Sequence, residues 1–203
     1  MNLPNRLTIL RVILIPFFIF FLLTDLCGQA SSWIALAIFC VASFTDFLDG
    51  KIARKYNLVT NFGKFMDPLA DKLLVCSALV CFVELNLLPS WFVIIIIARE
   101  FIISGFRLIA SDNGVVIAAS WWGKFKTVFQ MIVIIAMLAY QGLGREIYWK
   151  GFMLREKLDP WQTVDFTGYT LVITLVSWIA FGLTVISLID YIVKNKDVMK
   201  DNK

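Results

Sequence analysis

The sequence contains no histidine, and only 17% of its residues are charged. Histidine is the commonest general base near neutral pH and a frequent metal ligand. Acid–base or metal chemistry in this chain must therefore come mainly from aspartate and glutamate. Cysteine is also scarce: the four cysteines lie in or beside apolar stretches and form no Cys-x-x-Cys pair. We interpret them as small apolar residues, not as disulfide or metal partners.

Polar surface is too scarce for a soluble domain. Hydrophobic residues make up 60% of the chain, and the mean hydropathy is +0.80, whereas soluble domains are nearer half apolar. We predict an all-α polytopic membrane protein in which residues 1–203 form one domain. The net charge of +4 comes without a basic tract interleaved with aromatics. It therefore indicates cytoplasmic anchoring, and we expect no nucleic-acid partner.

Six apolar stretches are long enough to cross a bilayer as helices. The predicted transmembrane helices occupy residues 7–24, 33–54, 68–85, 89–110, 121–140 and 169–193. Pro68 and Pro89 suit the first helical turn, where a missing N–H has no intrahelical partner. Arg11 lies directly against the apolar run from Val12 to Leu23, and no convincing small-x-small cleavage site follows this run. We therefore predict that the first helix is retained.

The distribution of Lys and Arg predicts the orientation. Six spans put both termini on one side of the membrane, and all but four of the 19 basic residues fall on that side. Because cytoplasmic loops are enriched in Lys and Arg, we predict that both termini are cytoplasmic. The four exceptions lie between the fifth and sixth spans, in the segment 142–166, within which residues 148–161 form either an interfacial amphipathic helix or a plain loop.

Four aspartates occur at or near the ends of the second and third predicted spans: Asp46, Asp49, Asp67 and Asp71. Spacings of three and four residues put each pair on one helix face. An aspartate at mid-membrane costs about 2.5–3.5 kcal/mol, and clustered carboxylates also repel one another. Mg²⁺ or Mn²⁺, which prefer hard oxygen ligands, would offset this repulsion. The alternative, interfacial charges paired with nearby Lys and Arg, explains a single aspartate better than two spaced pairs.

Small residues accompany these aspartates. Gly50, Ala53 and Gly63 would let a ligand or a second helix approach the backbone closely. Arg54 is suited to bidentate binding of a phosphate. Metal ligands, small residues and an arginine together indicate phosphoryl transfer.

The pattern Asp-x-x-Asp-Gly-x-x-Ala-Arg, eight residues, Gly-x-x-x-Asp-x-x-x-Asp runs from Asp46 to Asp71. It resembles the signature of the CDP-alcohol phosphotransferase family. The resemblance implies that the four aspartates bind two Mg²⁺ or Mn²⁺ ions at the cytoplasmic side. It also implies that Asp71 takes the proton from the incoming alcohol. The CDP-binding positions that it implies are Asp46, Gly50, Ala53, Arg54 and Gly63.

Outside this motif, residues 2–8 with Arg11, residues 97–101 with Arg107, and residues 123–127 resemble one branch of the family, the bacterial phosphatidylglycerophosphate synthases. The resemblance implies that CDP-diacylglycerol is the donor, that glycerol 3-phosphate is the acceptor, and that phosphatidylglycerol phosphate and CMP are the products. It also implies a homodimer in the cytoplasmic (inner) membrane of a bacterium, with the bilayer supplying the lipid substrate.

A dianionic acceptor requires Arg and Lys partners. The residues that we predict to bind the acceptor phosphate are Arg99, Arg107, Lys124 and Lys126. The alternative is positive-inside anchoring, and Arg99 has the further alternative of pairing with Glu100. Asn5 and Thr8 either contact the donor headgroup or cap the first helix.

Two other functions stay open from the sequence. The aspartate motif is equally compatible with another acceptor, such as an inositol phosphate, serine or phosphatidylglycerol. A divalent cation transporter would use the aspartates as a permeation site. The aspartates, however, cluster on one side of the membrane, whereas transporter sites lie at mid-depth on broken helices.

Overall fold

The computed structural model describes residues 3–24, 26–55, 61–112, 120–143 and 168–195. Every regular element in these ranges is an α-helix, which confirms the all-α prediction. The helices are α1 Leu3–Leu23, α2 Gln29–Lys55, α3 Asn61–Glu84, α4 Ser90–Asp112, α5 Trp121–Gly142 and α6 Gly168–Lys194. Each overlaps one predicted span.

The start of α3 differs most from the prediction. The helix begins at Asn61, so Pro68 lies inside it and not in its first turn. The first turns of α3 contain the charged residues Lys64 and Asp67. Because these residues lower the local hydropathy, the apolar pattern did not indicate where the helix begins. The predicted position of Pro68 was therefore wrong.

Three of the described helices are long and apolar enough to cross a membrane: Asn5–Leu23, Trp121–Gly142 and Leu171–Lys194. The apolar part of α2, Ala30–Asp46, is shorter. Helix α4 carries Arg99, Glu100 and Arg107 in its interior, and α3 carries the second aspartate pair. The helices thus fit a membrane-bound protein, with most charged residues in α2, α3 and α4.

The chain divides into two compact units, of which the first comprises residues 1–88 and 135–159. In this unit α1 packs against α2 and α3, and α2 also contacts α3. The buried residues of α1 recur every three or four positions: Asn5, Thr8, Arg11, Ile15, Phe18 and Leu22. This spacing forms one helix face, which is polar near the N-terminus and apolar toward Leu22.

The face of α2 that is buried follows the same spacing: Ser31, Ala35, Phe39, Ala42 and Thr45. The ring centroids of Phe18 on α1 and Phe39 on α2 lie 5.7 Å apart, within the range of favourable aromatic pairs. In the connection between the helices, Gly28 adopts a φ of 57°, a left-handed conformation that glycine takes at little cost. The backbone N–H of Cys27 donates to Ser31 Oγ at 3.0 Å.

The C-terminus of α3 is closed by a Schellman motif. Asn86 adopts a φ of 56°, and its N–H donates to the Val83 carbonyl at 3.0 Å. The Leu87 N–H donates to the Phe82 carbonyl at 2.8 Å. Asparagine is one of the few residues that accept the left-handed conformation at this position. The motif ends α3 sharply and buries Leu87 and Leu88.

The second unit comprises residues 89–134 and 160–203. Helix α4 packs against α6, and aromatic rings join the two helices. The rings of Phe92 and Phe181 are stacked at 4.7 Å, and that of Trp91 lies 6.3 Å from the ring of Trp178. Aromatic pairs at such separations stabilise a helix contact beyond their burial alone.

Three small hydroxyl residues of α6 are also fully or almost fully buried: Ser177, Thr184 and Ser187. The hydroxyl of Ser177 donates to the carbonyl of Ile173, and that of Thr184 to the carbonyl of Ala180. The Ser187 hydroxyl donates to the Thr184 carbonyl at 2.9 Å. Because each hydroxyl donor is satisfied within its own helix, α6 can bury these residues at little cost.

Candidate active site

The aspartate motif lies in the C-terminal part of α2 and the N-terminal half of α3. Positions 46 and 49 share a continuous helix, as do positions 67 and 71, so the backbone places each pair on one face. Of the residues predicted here, the side chains of Asp46 and Asp71 are described. The predicted residues whose side chains lie outside the described part of the structure are Asp49, Gly50, Ala53, Arg54, Gly63 and Asp67.

Asp46 is held by a buried arginine from the neighbouring helix. Arg11 Nη1 lies 2.8 Å from Asp46 Oδ1, and the side chains are 0% and 41% exposed, respectively. Arg11 Nε also donates to the Ala42 carbonyl at 3.3 Å. The Thr45 hydroxyl donates to this same carbonyl at 2.6 Å. One edge of the Asp46 carboxylate is thus fixed by α1, while much of the side chain stays accessible.

The described part of the aspartate site fits a hard divalent cation. Asp46 is half-exposed and Asp71 is exposed, so both can offer oxygen ligands of the kind that Mg²⁺ and Mn²⁺ prefer. Both helices that carry the motif belong to the first unit and contact each other. No group of three or more possible metal ligands occurs among the side chains that the structure describes, a set without Asp49 and Asp67.

Asn5 and Thr8 lie inside α1 and on its buried face. Asn5 is 7% exposed and Thr8 is 0% exposed. Since α1 begins at Leu3, Thr8 lies too far into the helix to be its N-cap. The capping alternative was therefore wrong for Thr8, and contact with the donor headgroup stays a prediction for both residues. The pair shares its helix face with Arg11.

A second ion cluster lies in the second unit and has Glu100 at its centre. Glu100 Oε1 pairs with Arg99 Nη1 at 3.0 Å and with Lys126 Nζ. Arg99 Nε also donates to Ser187 Oγ at 3.1 Å. The side chains of Arg99 and Lys126 are 8% and 2% exposed. The cluster thus joins α4, α5 and α6, and the alternative that Arg99 pairs with Glu100 is confirmed.

The other two predicted acceptor-binding residues are exposed. Arg107 lies on the surface of α4, and Lys124 lies on the surface of α5. The Lys124 ammonium lies 4.8 Å from the centroid of the Trp121 ring, a cation–π contact. Exposure therefore divides the four predicted cations into a buried pair bound to Glu100 and an accessible pair.

The pairings of Arg11 with Asp46 and of Lys126 with Glu100 were not predicted from the sequence, whereas that of Arg99 with Glu100 was an open alternative. Arg11 pairs with a motif aspartate, and Glu100 joins two predicted anion-binding cations. A signal was present for each. Arg11 directly precedes the apolar run of α1, and Glu100 is the only acid of α4 before its last residue, Asp112. Charges in such places usually have a specific partner.

The chain is similar to a known protein family over nearly its whole length. A model of the family "CDP-alcohol phosphatidyltransferase" matches residues 1–186. A Bacillus subtilis protein named CDP-diacylglycerol–glycerol-3-phosphate 3-phosphatidyltransferase is 40% identical, covering 98% of this chain and 97% of the relative. A Haemophilus influenzae protein of the same name is 37% identical over 99% of this chain and 97% of its own. An Escherichia coli K12 protein of that name is 45% identical over 68% of this chain and 76% of its own length. The resemblance of the aspartate motif is thereby confirmed, and the chain belongs to the CDP-alcohol phosphatidyltransferase family.

Proposed function

We propose that this chain transfers the phosphatidyl group of CDP-diacylglycerol to sn-glycerol 3-phosphate, giving phosphatidylglycerol phosphate and CMP. The observation that carries the proposal is its similarity, over almost the full length, to two bacterial proteins whose names state this donor, acceptor and transferred group. The helical placement of both aspartate pairs in α2 and α3 agrees with it.

In the proposed membrane arrangement, all six helices span the cytoplasmic membrane of a bacterium, and the chain forms one domain. Both termini and the aspartate site face the cytoplasm. The asymmetric distribution of Lys and Arg supports this orientation. The three apolar helices support membrane insertion. The charges of α3 and α4 are then functional or paired, as intramembrane charges usually are.

The proposed metal ligands are the carboxylates of Asp46, Asp49, Asp67 and Asp71. When bound there, two Mg²⁺ or Mn²⁺ ions would polarise the phosphorus under attack and offset the charge on the departing CMP. Support from the structure comes from the exposure of Asp46 and Asp71 and from the absence of competing histidine ligands in the sequence.

In the proposed reaction, a hydroxyl oxygen of glycerol 3-phosphate attacks the phosphorus that carries the diacylglycerol. Asp71 accepts the proton of that hydroxyl, and the bond between this phosphorus and the CMP oxygen breaks. The exposed position of Asp71 on α3 makes it accessible to an incoming alcohol. Gly50, Ala53 and Gly63 would leave room for the CDP moiety, and Arg54 would bind one of its phosphates.

For the acceptor phosphate we favour the accessible cations Arg107 and Lys124. Phosphate binding needs N–H donors that are not already neutralised by a carboxylate. Arg99 and Lys126 are buried and paired with Glu100, so they would take part only if this acid released them. Homodimer formation and contact of Asn5 and Thr8 with the donor headgroup remain proposals from the family resemblance.

The decisive experiment is CMP release by the purified chain in detergent with CDP-diacylglycerol and Mg²⁺, with and without glycerol 3-phosphate. We expect release that requires glycerol 3-phosphate and stops when the metal is chelated. Inositol phosphate, serine and phosphatidylglycerol serve as control acceptors. If CMP were released only with one of these control acceptors, the proposed acceptor would be wrong, and the proposed reaction class would stand.

Absence of CMP release with every acceptor, from protein shown to be folded, would contradict the transferase proposal. Divalent metal flux into liposomes that lack CDP-diacylglycerol would then favour the transporter alternative. The relatives' names and the one-sided cluster of aspartates favour the enzyme.

A further inference from the structure

We propose that Arg11 is a positioning residue, which orients the Asp46 carboxylate from the neighbouring helix α1 for metal binding. Its role rests on the proposed function, in which Asp46 is a metal ligand. Arg11 lies outside the aspartate motif, and its contacts are made through α1, which carries none of the four predicted metal ligands.

The burial of Arg11 demands specific partners. Its side chain is 0% exposed, and a guanidinium stays charged and carries five N–H donors. A buried charge is tolerated only when it is paired and hydrogen-bonded. Helix α2 supplies partners from two successive turns, the Ala42 carbonyl at 3.3 Å and the Asp46 carboxylate at 2.8 Å. Arg11 therefore contacts α2 directly beside the predicted ligand.

These contacts constrain the orientation of the guanidinium as well as its position. Nε donates a hydrogen bond to the Ala42 carbonyl, and Nη1 forms an ion pair with Asp46 Oδ1, so rotating the plane of the group would lengthen at least one of these two contacts. The Ala42 carbonyl also accepts the hydroxyl of Thr45, which is 7% exposed. A carbonyl oxygen has two lone pairs and can accept both bonds. The residue that precedes Asp46 is thus anchored to the same acceptor as Arg11.

The consequence for Asp46 is a restricted but accessible carboxylate. Arg11 engages Oδ1, and the side chain remains 41% exposed. An ionised carboxylate can accept several partners at once, so an ion pair on one edge leaves room for a cation. Metal ligands must be held within about 0.5 Å of a productive geometry. Partners that orient such ligands typically change metal affinity about 10–100-fold when they are removed.

Positioning can be separated from two simpler roles, because the three make different predictions for metal affinity. The positive charge of Arg11 alone would repel a nearby cation, so removing it would tighten metal binding. A purely structural ion pair would change thermal stability and leave the affinity of the folded protein unchanged. A positioning residue would weaken metal binding when it is replaced, even by another cation.

The test compares Arg11→Gln, Arg11→Lys and the matched control Arg6→Gln in the full chain, purified in detergent. Mn²⁺ is titrated alone, and the free ion is measured by electron paramagnetic resonance. We expect Arg11→Gln to weaken Mn²⁺ binding about 10–100-fold. Arg11→Lys should produce a smaller loss, because an ammonium keeps the charge but lacks the planar fork. Arg6 is exposed on the same helix, so Arg6→Gln should match the wild type.

Wild-type Mn²⁺ affinity in folded Arg11→Lys would overturn the proposal, as would tighter binding by Arg11→Gln. If Arg11→Gln does not yield a monodisperse protein, Arg11→Lys decides alone. A wild-type chain that releases no CMP would remove the proposed function, whatever its Mn²⁺ affinity. A wild-type chain that is active and binds Mn²⁺, with Arg11 variants of equal affinity, would remove only the role of Arg11.

Discussion

Two ion clusters among the described residues both bury their cations, but they differ in how far the acid is exposed. In the first unit a fully buried arginine holds Asp46, whose side chain is 41% exposed. In the second unit, two buried cations surround Glu100, whose side chain is 18% exposed. The first cluster leaves the acid accessible, whereas the second makes both cations inaccessible. The comparison favours Asp46 as a ligand of a cation more strongly than it favours Arg99 or Lys126 as ligands of an anion.

Both clusters also hold helices together, and this explains why each can persist in an apolar interior. A buried pair gains little net free energy, because both ions lose their hydration. Removing one partner is costly, since the other charge is left buried and uncompensated. Arg11 therefore ties α1 to α2, and Glu100 ties α4 to α5. Variants of each cluster can test whether accessible charged residues affect activity, while buried ones affect the stability of the fold.

The largest expected effect concerns the accessible acids. Asp71→Asn removes the proposed base while keeping the shape of the side chain, and a general base contributes about 10²–10⁴-fold to the rate. We expect CMP release to fall by this factor. Glu84→Gln is the matched control, because Glu84 is an exposed acid on the same helix. Near-normal turnover by folded, metal-bound Asp71→Asn would contradict the proposed role.

The next effect concerns the buried cluster and should appear in stability. Glu100→Gln would remove the carboxylate that pairs with the buried cations Arg99 and Lys126, and breaking a buried pair costs about 3–5 kcal/mol. We expect a clearly lower unfolding temperature in detergent at a fixed scan rate. The double variant Glu100→Gln/Lys126→Met should recover part of the loss, because one of the two buried cations that Glu100 neutralised is removed as well. Unchanged stability of Glu100→Gln would show that the cluster does not hold these helices.

A smaller effect on acceptor binding should distinguish exposed Lys124 from buried Lys126 on α5. Lys124→Gln should raise the KM for glycerol 3-phosphate about tenfold, as loss of a charged hydrogen bond costs about 1.5 kcal/mol. Its unfolding temperature should hardly change. Lys126→Met should mainly lower the unfolding temperature. A raised KM in folded Lys126→Met, with a normal KM in Lys124→Gln, would reverse the assignment.

The smallest effect concerns an ion pair outside both clusters. Lys194 pairs with Asp190 at 2.7 Å, and its side chain is 64% exposed. Asp190 is 18% exposed, but its cationic partner is open to solvent, and helical pairs that solvent screens in this way contribute about 0.3–0.5 kcal/mol. Lys194→Gln should therefore leave both CMP release and the unfolding temperature nearly unchanged. A loss as large as that of Glu100→Gln would remove the contrast between buried and exposed pairs.

The sequence predicted the six helices and the location of the aspartate motif, because hydropathy and residue spacing are local properties. It did not predict that α3 begins at Asn61, since polar residues there interrupt the apolar pattern. It also treated Lys124 and Lys126 alike. Two residues apart on a helix, they point to different sides, and only the packing of α5 decides which one is buried.

The partner of Arg11 could not be predicted for the same reason. The three- and four-residue spacing of α1 defines one face, but the sequence does not state which helix covers it. The choice of Asp46 follows from the packing of α1 against α2. Local patterns thus identified the charged residues, while the contacts between helices determined which of them remain accessible.

The two contacts that pair α1 with α2 fix the number of residues that must separate them on each helix. Arg11 meets Asp46, and Phe18, two turns later on α1, meets Phe39, two turns earlier on α2. Deleting one residue between Arg11 and Phe18 would rotate one contact by about 100° relative to the other. The helical hairpin could then keep its aromatic pair or its ion pair, but not both. Insertions should therefore be tolerated in the turn around Gly28, where the chain is exposed, and not within either helix.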